Sequence, residues 1–293
     1  MPPDNGELAL RPTVDPLHTL RKYFNIFRVS LIERMAYRGD FLLGTVLRFF
    51  PMITTILLWQ AVFAAAPATG ALGDEKEISG FTAHEMIAYL LLVHISRMFS
   101  SMPGLSNTIS QSIRDGTMKK YLLQPLDMIG YLVSYRAAHK VAYIATSALP
   151  YAGLFLACAS YFDGFPDAGT LAAYALSLVL GFIVGFFFEC AMGMVGFWFL
   201  EITSLLWVVN TVNFFVSGQM FPIDLLPHPW VVLLKLLPFQ YLAYFPAAIF
   251  LGKVQGAALW QGLLVQAGWG VALIALSRWL YARGLRHYSA FGG

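Results

Sequence analysis

The chain has 293 residues, 58% of them hydrophobic and only 12% charged, with a mean hydropathy of +0.65. A soluble domain carries about 25% charged residues, so most of this chain is solvated by lipid. A crossing helix needs about 20 largely apolar residues, which leaves room for roughly six. The net charge of +3 is too small to imply a nucleic-acid partner, and Cys158 and Cys190 both lie in apolar runs.

In chain order, residues 1–16 hold four prolines among polar residues and read as a flexible tail without the basic-then-apolar pattern of a cleaved signal. Targeting through the first, uncleaved span is expected. Residues 17–40 set Arg21, Lys22, Arg28, Arg34 and Arg38 against Leu20, Phe24, Phe27, Leu31 and Met35. The apolar set recurs every three or four residues, which predicts a basic amphipathic helix lying in the membrane interface. A six-span transmembrane domain is expected over 41–282.

The first span covers about 41–66 and contains Arg48, either a functional intramembrane charge or one near enough to the cytoplasmic end to snorkel. The second covers 83–102 and carries Arg97 near its end. Residues 103–128 are polar and basic, with Ile113, Met118, Tyr121, Leu122 and Leu123 supplying an apolar face. They predict a short amphipathic helix at the membrane surface that can dock a soluble partner. The third span covers 129–161 and the fourth 171–200. In the fourth, Gly181 and Gly185 form a small-xxx-small pair that lets helices approach closely. Its Glu189 is either a proton-carrying or substrate-contacting carboxylate, or a group hydrogen-bonded between helices.

The fifth span, 204–218, is short. Residues 220–252 come next, apolar but broken by Pro222, Pro227, Pro229, Pro238 and Pro246. Proline interrupts helices, so two half-buried helices that dip into the bilayer and return are expected here, with protein covering their non-helical backbone. The last span covers 257–281, and 283–293 form a tail.

Orientation follows from the basic residues. Arg11, Arg21, Lys22, Arg28, Arg34 and Arg38 precede the first span, Arg114, Lys119 and Lys120 sit between the second and third, and Arg278, Arg283 and Arg286 end the chain. The opposite loops offer Lys76, Lys235 and Lys253 alone, and the first and third connections hold five acids. The positive-inside rule then puts both termini and 103–128 in the cytoplasm and 220–252 outside, in a plasma membrane.

No GxxxxGK[ST] phosphate loop, HExxH, CxxC or GxSxG occurs. The six histidines are scattered, so no bound metal or cofactor and no enzyme activity are expected.

Two segments resemble the type-2 ABC exporter permeases, whose relatives move antibiotics, lipids and polysaccharide precursors outward. In IRDGTMKKYLLQPL, Arg114, Gly116, Leu122, Leu123 and Pro125 stand where that family's first cytoplasmic loop has a basic residue, a glycine and an LL-x-P ending. In residues 217–253, Ser217, Gly218, Phe221, Pro222, Pro227, Pro238, Phe239 and Pro246 resemble its outward re-entrant hairpin. The tail RGLRHYSAFGG is similar to one branch of the class.

The resemblance implies an all-α integral membrane protein of the bacterial inner membrane that pairs with a second, identical or sister permease. A separate ATP-binding subunit, carrying ATP and Mg, would dock on a coupling helix at about 107–120. Asn107, Ser110, Arg114, Asp115, Gly116 and Lys119 are its expected coupling residues, with Glu189, Arg48 and Arg97 as intramembrane polar candidates along the pathway. Two other classes stand beside this one. An ion-gradient-driven secondary transporter or channel would need paired intramembrane carboxylates and broken spans, whereas Glu189 is the only deeply placed acid. A membrane scaffold would leave the coupling helix without a partner.

Overall fold

The computed structural model describes residues 16–288 apart from 37, 66–76, 125, 163 and 200. The side chains of 16–19, 38, 40, 41 and 48 are outside the description. The expected tail before residue 16, the Arg48 side chain, Pro125 and residues 289–293 therefore lie outside the described residues.

The described chain is built from helices: α1 Pro16–Ala36, α2 Arg38–Ala65, α3 Ala83–Ser100, α4 Leu105–Arg114, α5 Lys119–Leu122 and α6 Met128–Ala157. Then come α7 Ala168–Met194, α8 Thr203–Val216, α9 His228–Leu236, α10 Tyr244–Phe250 and α11 Gly256–His287. The only bridge between extended residues, among those described, joins Ile78 and Phe81. Five stretches are long and apolar enough to cross a membrane: Leu42–Ala65, Ala83–Arg114, Met128–Ala157, Ala168–Phe197 and Gly256–His287. The chain is thus an all-α, multi-pass membrane protein. The expected fifth span corresponds to α8, whose 14 residues reach about 21 Å against a hydrocarbon core of about 30 Å.

Local side chains set the starts of three long helices. Thr82 and Glu85 form a reciprocal capping box for α3, at 3.2 and 3.0 Å. Asp127 accepts from the Gly130 N–H at 2.7 Å and opens α6. Asp167 accepts from Gly169 and Thr170 at 2.8 and 3.1 Å and opens α7. Residues Met86 to Val93 of α3 are all buried, as expected of a helix that is apolar all round and surrounded by others. The main core is shared by α3, α7 and α10, and a second cluster joins α4 to the facing ends of α6 and α7. Helix α1 lies against α6, with the Arg34 guanidinium 5.1 Å from the centre of the Tyr135 ring.

Helices α7 and α11 run in the same direction. Ser177 and Gln266 exchange buried hydrogen bonds, Ser277 donates to the Phe187 carbonyl at 3.0 Å, and Phe197 packs where a Cβ on Gly284 would stand. The chain between them must therefore travel back along the length of α7. It does so from Glu201, beside Arg114, through α8 to Gly218, whose carbonyl accepts from the Tyr89 hydroxyl in the second turn of α3.

Prolines mark the divisions within residues 220–252. Pro227 precedes α9, Pro238 opens a 3-10 turn over 238–242, and Pro246 sits in the first turn of α10, where its missing N–H is harmless. Leu242 accepts from the Ser100 hydroxyl at 2.7 Å, and Lys253 meets Glu85 at 2.5 Å. Ser100 lies some four turns along α3 from Glu85, roughly 22 Å. The segment therefore enters the bundle by that depth and returns.

Candidate functional site

The break between α3 and α4 organises the site. Pro103 disfavours a helical residue before it, and the chain leaves helical geometry over 101–104 before resuming as α4. Leu105, Ile109 and Ile113 then recur at helical spacing and are all buried, together with Ser106. They pack on the end of α7, where Gly193 and Gly196 admit them. A Cβ on Gly193 would meet the Ser106 carbonyl at 2.8 Å, and one on Gly196 would meet the Ser110 Cβ at 3.0 Å. The opposite face of α4 presents Thr108, Gln111 and Arg114. Gly116 takes a φ of +72°, which glycine adopts without strain. The turn it makes buries Met118 completely and delivers α5, with Lys119 and Lys120 exposed and Leu123 85% exposed beyond them.

The six expected coupling residues fall into two groups. Arg114, Asp115 and Lys119 are exposed, whereas Asn107, Ser110 and Gly116 are half-buried. Ser110 donates to the Asn107 carbonyl at 3.0 Å and faces Gly196. Arg114 reaches Glu201 at 2.9 Å and Asp115 at 3.3 Å, which fixes α4 to the α7–α8 connection. The hydroxyl and backbone N–H of Thr203 hydrogen-bond the Glu201 carboxyl and hold it below its ordinary range, with Arg114 adding to the effect.

Backbone groups left open by the break are met by charged side chains from α6. The Lys140 amine donates to the carbonyl of Met98 at 2.7 Å and to that of Ser101, and Arg136 donates to that of Pro103 at 3.2 Å. On the α4 side, Ser106 and Glu189 line one cavity at the break. Cations thus close the carbonyl end of α3, the arrangement favoured by its helix dipole. Gly104 precedes α4 and offers no side-chain cap of its own.

A cavity of about 450 Å³ opens at the break, lined by Arg97, Ser106, Asn107 and Glu189, and bordered by Trp207 and Asn210 of α8. Arg97 donates to the Ser100 hydroxyl at 3.3 Å. The structure thus brings Arg97, Asn107 and Glu189 together, while the side chain of Arg48 lies outside the described residues. Sequence reasoning placed Arg136 and Lys140 in a span without assigning them to the site. Their four-residue spacing, which puts both cations on one helix face, was the signal available.

Within 220–252, Pro222, Pro238 and Pro246 are buried, and Phe239 packs edge-to-face on Phe188 with ring centres 5.3 Å apart. Pro227 is exposed at the start of α9. Asp224 ties the segment together, pairing with Lys235 at 2.9 Å and accepting from the Tyr244 hydroxyl at 2.5 Å. Among the described residues, no group of three or more His, Cys, Asp or Glu side chains is gathered as a metal site.

Among curated proteins, none matches the chain. The family described as ABC-2 family transporter protein matches residues 49–292, which include every long helix from most of α2 onward and the whole of the α4 site. The chain belongs to the ABC-2 transporter family.

Proposed function

We propose that the chain is the transmembrane permease subunit of an ATP-driven exporter. It works as a dimer with an identical or sister permease and docks a separate ATP-binding subunit on α4 and α5. ATP and Mg bind that partner, and this chain is not itself an enzyme. Six crossings, with α8 as the short fifth, both termini in the cytoplasm and 220–252 re-entering from outside a bacterial inner membrane complete the reading. The parallel course of α7 and α11 supports the extra crossing, and the depth of Leu242 supports the re-entrant segment.

The observation that carries the proposal is the two-sided character of α4. One face is locked into α7 by glycine contacts, and the other presents Arg114, with Asp115 and Lys119 just beyond. A partner that pushes on the exposed face moves α7 with it. Asn107 and Ser110 act on the inner side of this device, as positioning groups between α4 and α7. Glu189, on which a gradient-driven transporter would have to rest, shares the cavity at the break with the cationic Arg97 and has no second acid beside it among the described residues there. A lone acid weighs toward the ATP-driven reading.

The test is affinity purification of the tagged chain in mild detergent, co-expressed with its gene neighbours, with co-purifying chains identified by mass. A stoichiometric soluble ATPase, lost on combined Arg114→Glu and Lys119→Glu substitution, is expected. An intact permease that recovers no ATPase overturns the reading.

A further inference from the structure

Two adjoining cavities occupy the end of the bundle where α6 gives way to α7, away from the α4 site. The inner one, about 530 Å³, is almost wholly apolar and is walled by Leu92 and Ile95 of α3, Phe155 and Leu156 of α6, Tyr174 of α7 and Phe250 of α10. The outer one, about 300 Å³, shares Phe162, Phe165 and Phe250 with it. It adds hydrogen-bonding groups from Glu85, Tyr161, Asp167, Thr170 and Gln255, with the Thr170 hydroxyl donating to Asp167 at 2.6 Å. Thr170 and Tyr174 are one turn of α7 apart, about 6 Å, so the lining passes from polar to apolar over a short depth. At the mouth, Leu156 is 78% and Phe165 91% exposed. Leu156 belongs to a helix long and apolar enough to cross a membrane, and Phe165 lies just beyond it.

Tyr174 marks the boundary between the two. Its residue is 7% exposed, yet its hydroxyl has no hydrogen-bond partner. The Ser96 hydroxyl nearby donates to the Leu92 carbonyl at 2.9 Å, and its oxygen stands outside hydrogen-bond geometry from Tyr174. A buried hydroxyl left unmet costs free energy. A water bridging Tyr174 to Ser96 would not fill the apolar space beside them. An amphiphile does: its apolar chain fills the inner cavity, a carbonyl accepts from Tyr174, and its polar head meets the outer groups.

We propose that these cavities form a binding site for one ester-linked membrane lipid. One acyl chain lies between α3, α6, α7 and α10, the Tyr174 hydroxyl donates to the ester carbonyl, and the head group sits beside Thr170 and Gln255. The lipid thereby joins the re-entrant segment, through Phe250, to the α6–α7 end of the bundle.

The test uses the full chain in vesicles of dioleoylphosphatidylcholine containing a phosphatidylcholine with a diazirine midway along one acyl chain. Two forms of the probe are compared, ester-linked and ether-linked, and cross-linked peptides are mapped by mass spectrometry. Dense labelling of residues 150–176 by the ester probe is expected. Ala152→Trp, which fills the inner cavity, should abolish it. Tyr174→Phe and the ether probe should each reduce it about fivefold, the worth of one hydrogen bond, while labelling of the exposed face of α8 stays constant. Elution profile and melting temperature verify that each variant is folded, and Tyr174→Phe removes one oxygen only. Labelling of 150–176 no denser than that of α8, or unchanged in folded Ala152→Trp protein, overturns the proposal, as does equal labelling by ester and ether probes. The experiment needs no ATP-binding partner, so its outcome is independent of the permease reading.

Discussion

Gly185 offers the sharpest test of the packing. It lies where α7 crosses the end of α3, and a Cβ there would stand 1.9 Å from the Ser100 carbonyl oxygen and 2.9 Å from its carbon. Separations under 3.0 Å are essentially never found for real Cβ atoms, so Gly185→Ala forces the two helices apart by about 1.1 Å. The obstacle is backbone, and no rotamer change relieves it. Movement of that size also stretches the buried bond from the Ser100 hydroxyl to the Leu242 carbonyl, now 2.7 Å, beyond hydrogen-bonding range. Overpacking costs about 1–3 kcal/mol and loss of the hydrogen bond about 1 more. Against this, alanine's helix preference returns about 1 kcal/mol. The expected net destabilisation is about 1–3 kcal/mol. The assay is unfolding of detergent-solubilised protein by sodium dodecyl sulfate, followed by tryptophan fluorescence. Gly153→Ala in α6 is the control, since nothing lies within 4 Å of its added Cβ. It should be neutral or slightly stabilising. If the two variants unfold at the same detergent fraction, the close crossing of α3 and α7 is wrong.

Two further outcomes concern the α4 site. Lys140→Met leaves the Met98 and Ser101 carbonyls without the amine that meets them. It should lower stability in the same unfolding assay by about 1–3 kcal/mol, and Lys140→Arg should recover part of the loss; wild-type stability in Lys140→Met would refute the capping role. The Glu201 carboxyl is held below its ordinary value of 4.5 on folding. The folded chain therefore binds fewer protons than the unfolded one just below that value, so this contribution is present above pH 4.5 and disappears as pH falls through the lowered value. Because Glu201 is exposed, the effect is small. Melting temperature measured against pH should fall less steeply below 4.5 in Glu201→Gln than in the parent, and parallel profiles would count against the Thr203 and Arg114 contacts.

Long apolar runs made the membrane class and the approximate limits of α2, α3, α6, α7 and α11 legible, because hydropathy depends on composition alone. The buried stripe Leu105, Ile109 and Ile113 was legible for a related reason, since its period lies within ten residues. Gly116 and the prolines of 220–252 carry their conformational consequences in their own covalent geometry. What the sequence hid was pairing over distance. Glu189 lies 83 positions from Ser106, and no local pattern announces that the two line one cavity. That Ser110 stands half-buried against Gly196 was hidden too, because the rotation of α4 is set by α7. The contact of α1 with α6 was hidden likewise: an amphipathic helix advertises an apolar face without naming what covers it.

The charges at the α3–α4 break also bear on how the helices are held together there. A continuous helix from Ala83 to Arg114 would tie α4 to α3 through unbroken backbone hydrogen bonds. Over 101–104 those bonds are replaced by contacts from α6: Lys140 on the Met98 and Ser101 carbonyls and Arg136 on that of Pro103. Removing the Lys140 amine would leave two of these carbonyls unmet. The contacts therefore favour one arrangement of α3 and α6 over a graded bend of one helix. Helix α4 is held to α7 through Gly193 and Gly196, and α7 is held as closely to the end of α3 through Gly185. Ser100 also ties α3 to the deep turn at Leu242. The cavity lined by Arg97, Asn107 and Glu189 lies where these contacts meet the break.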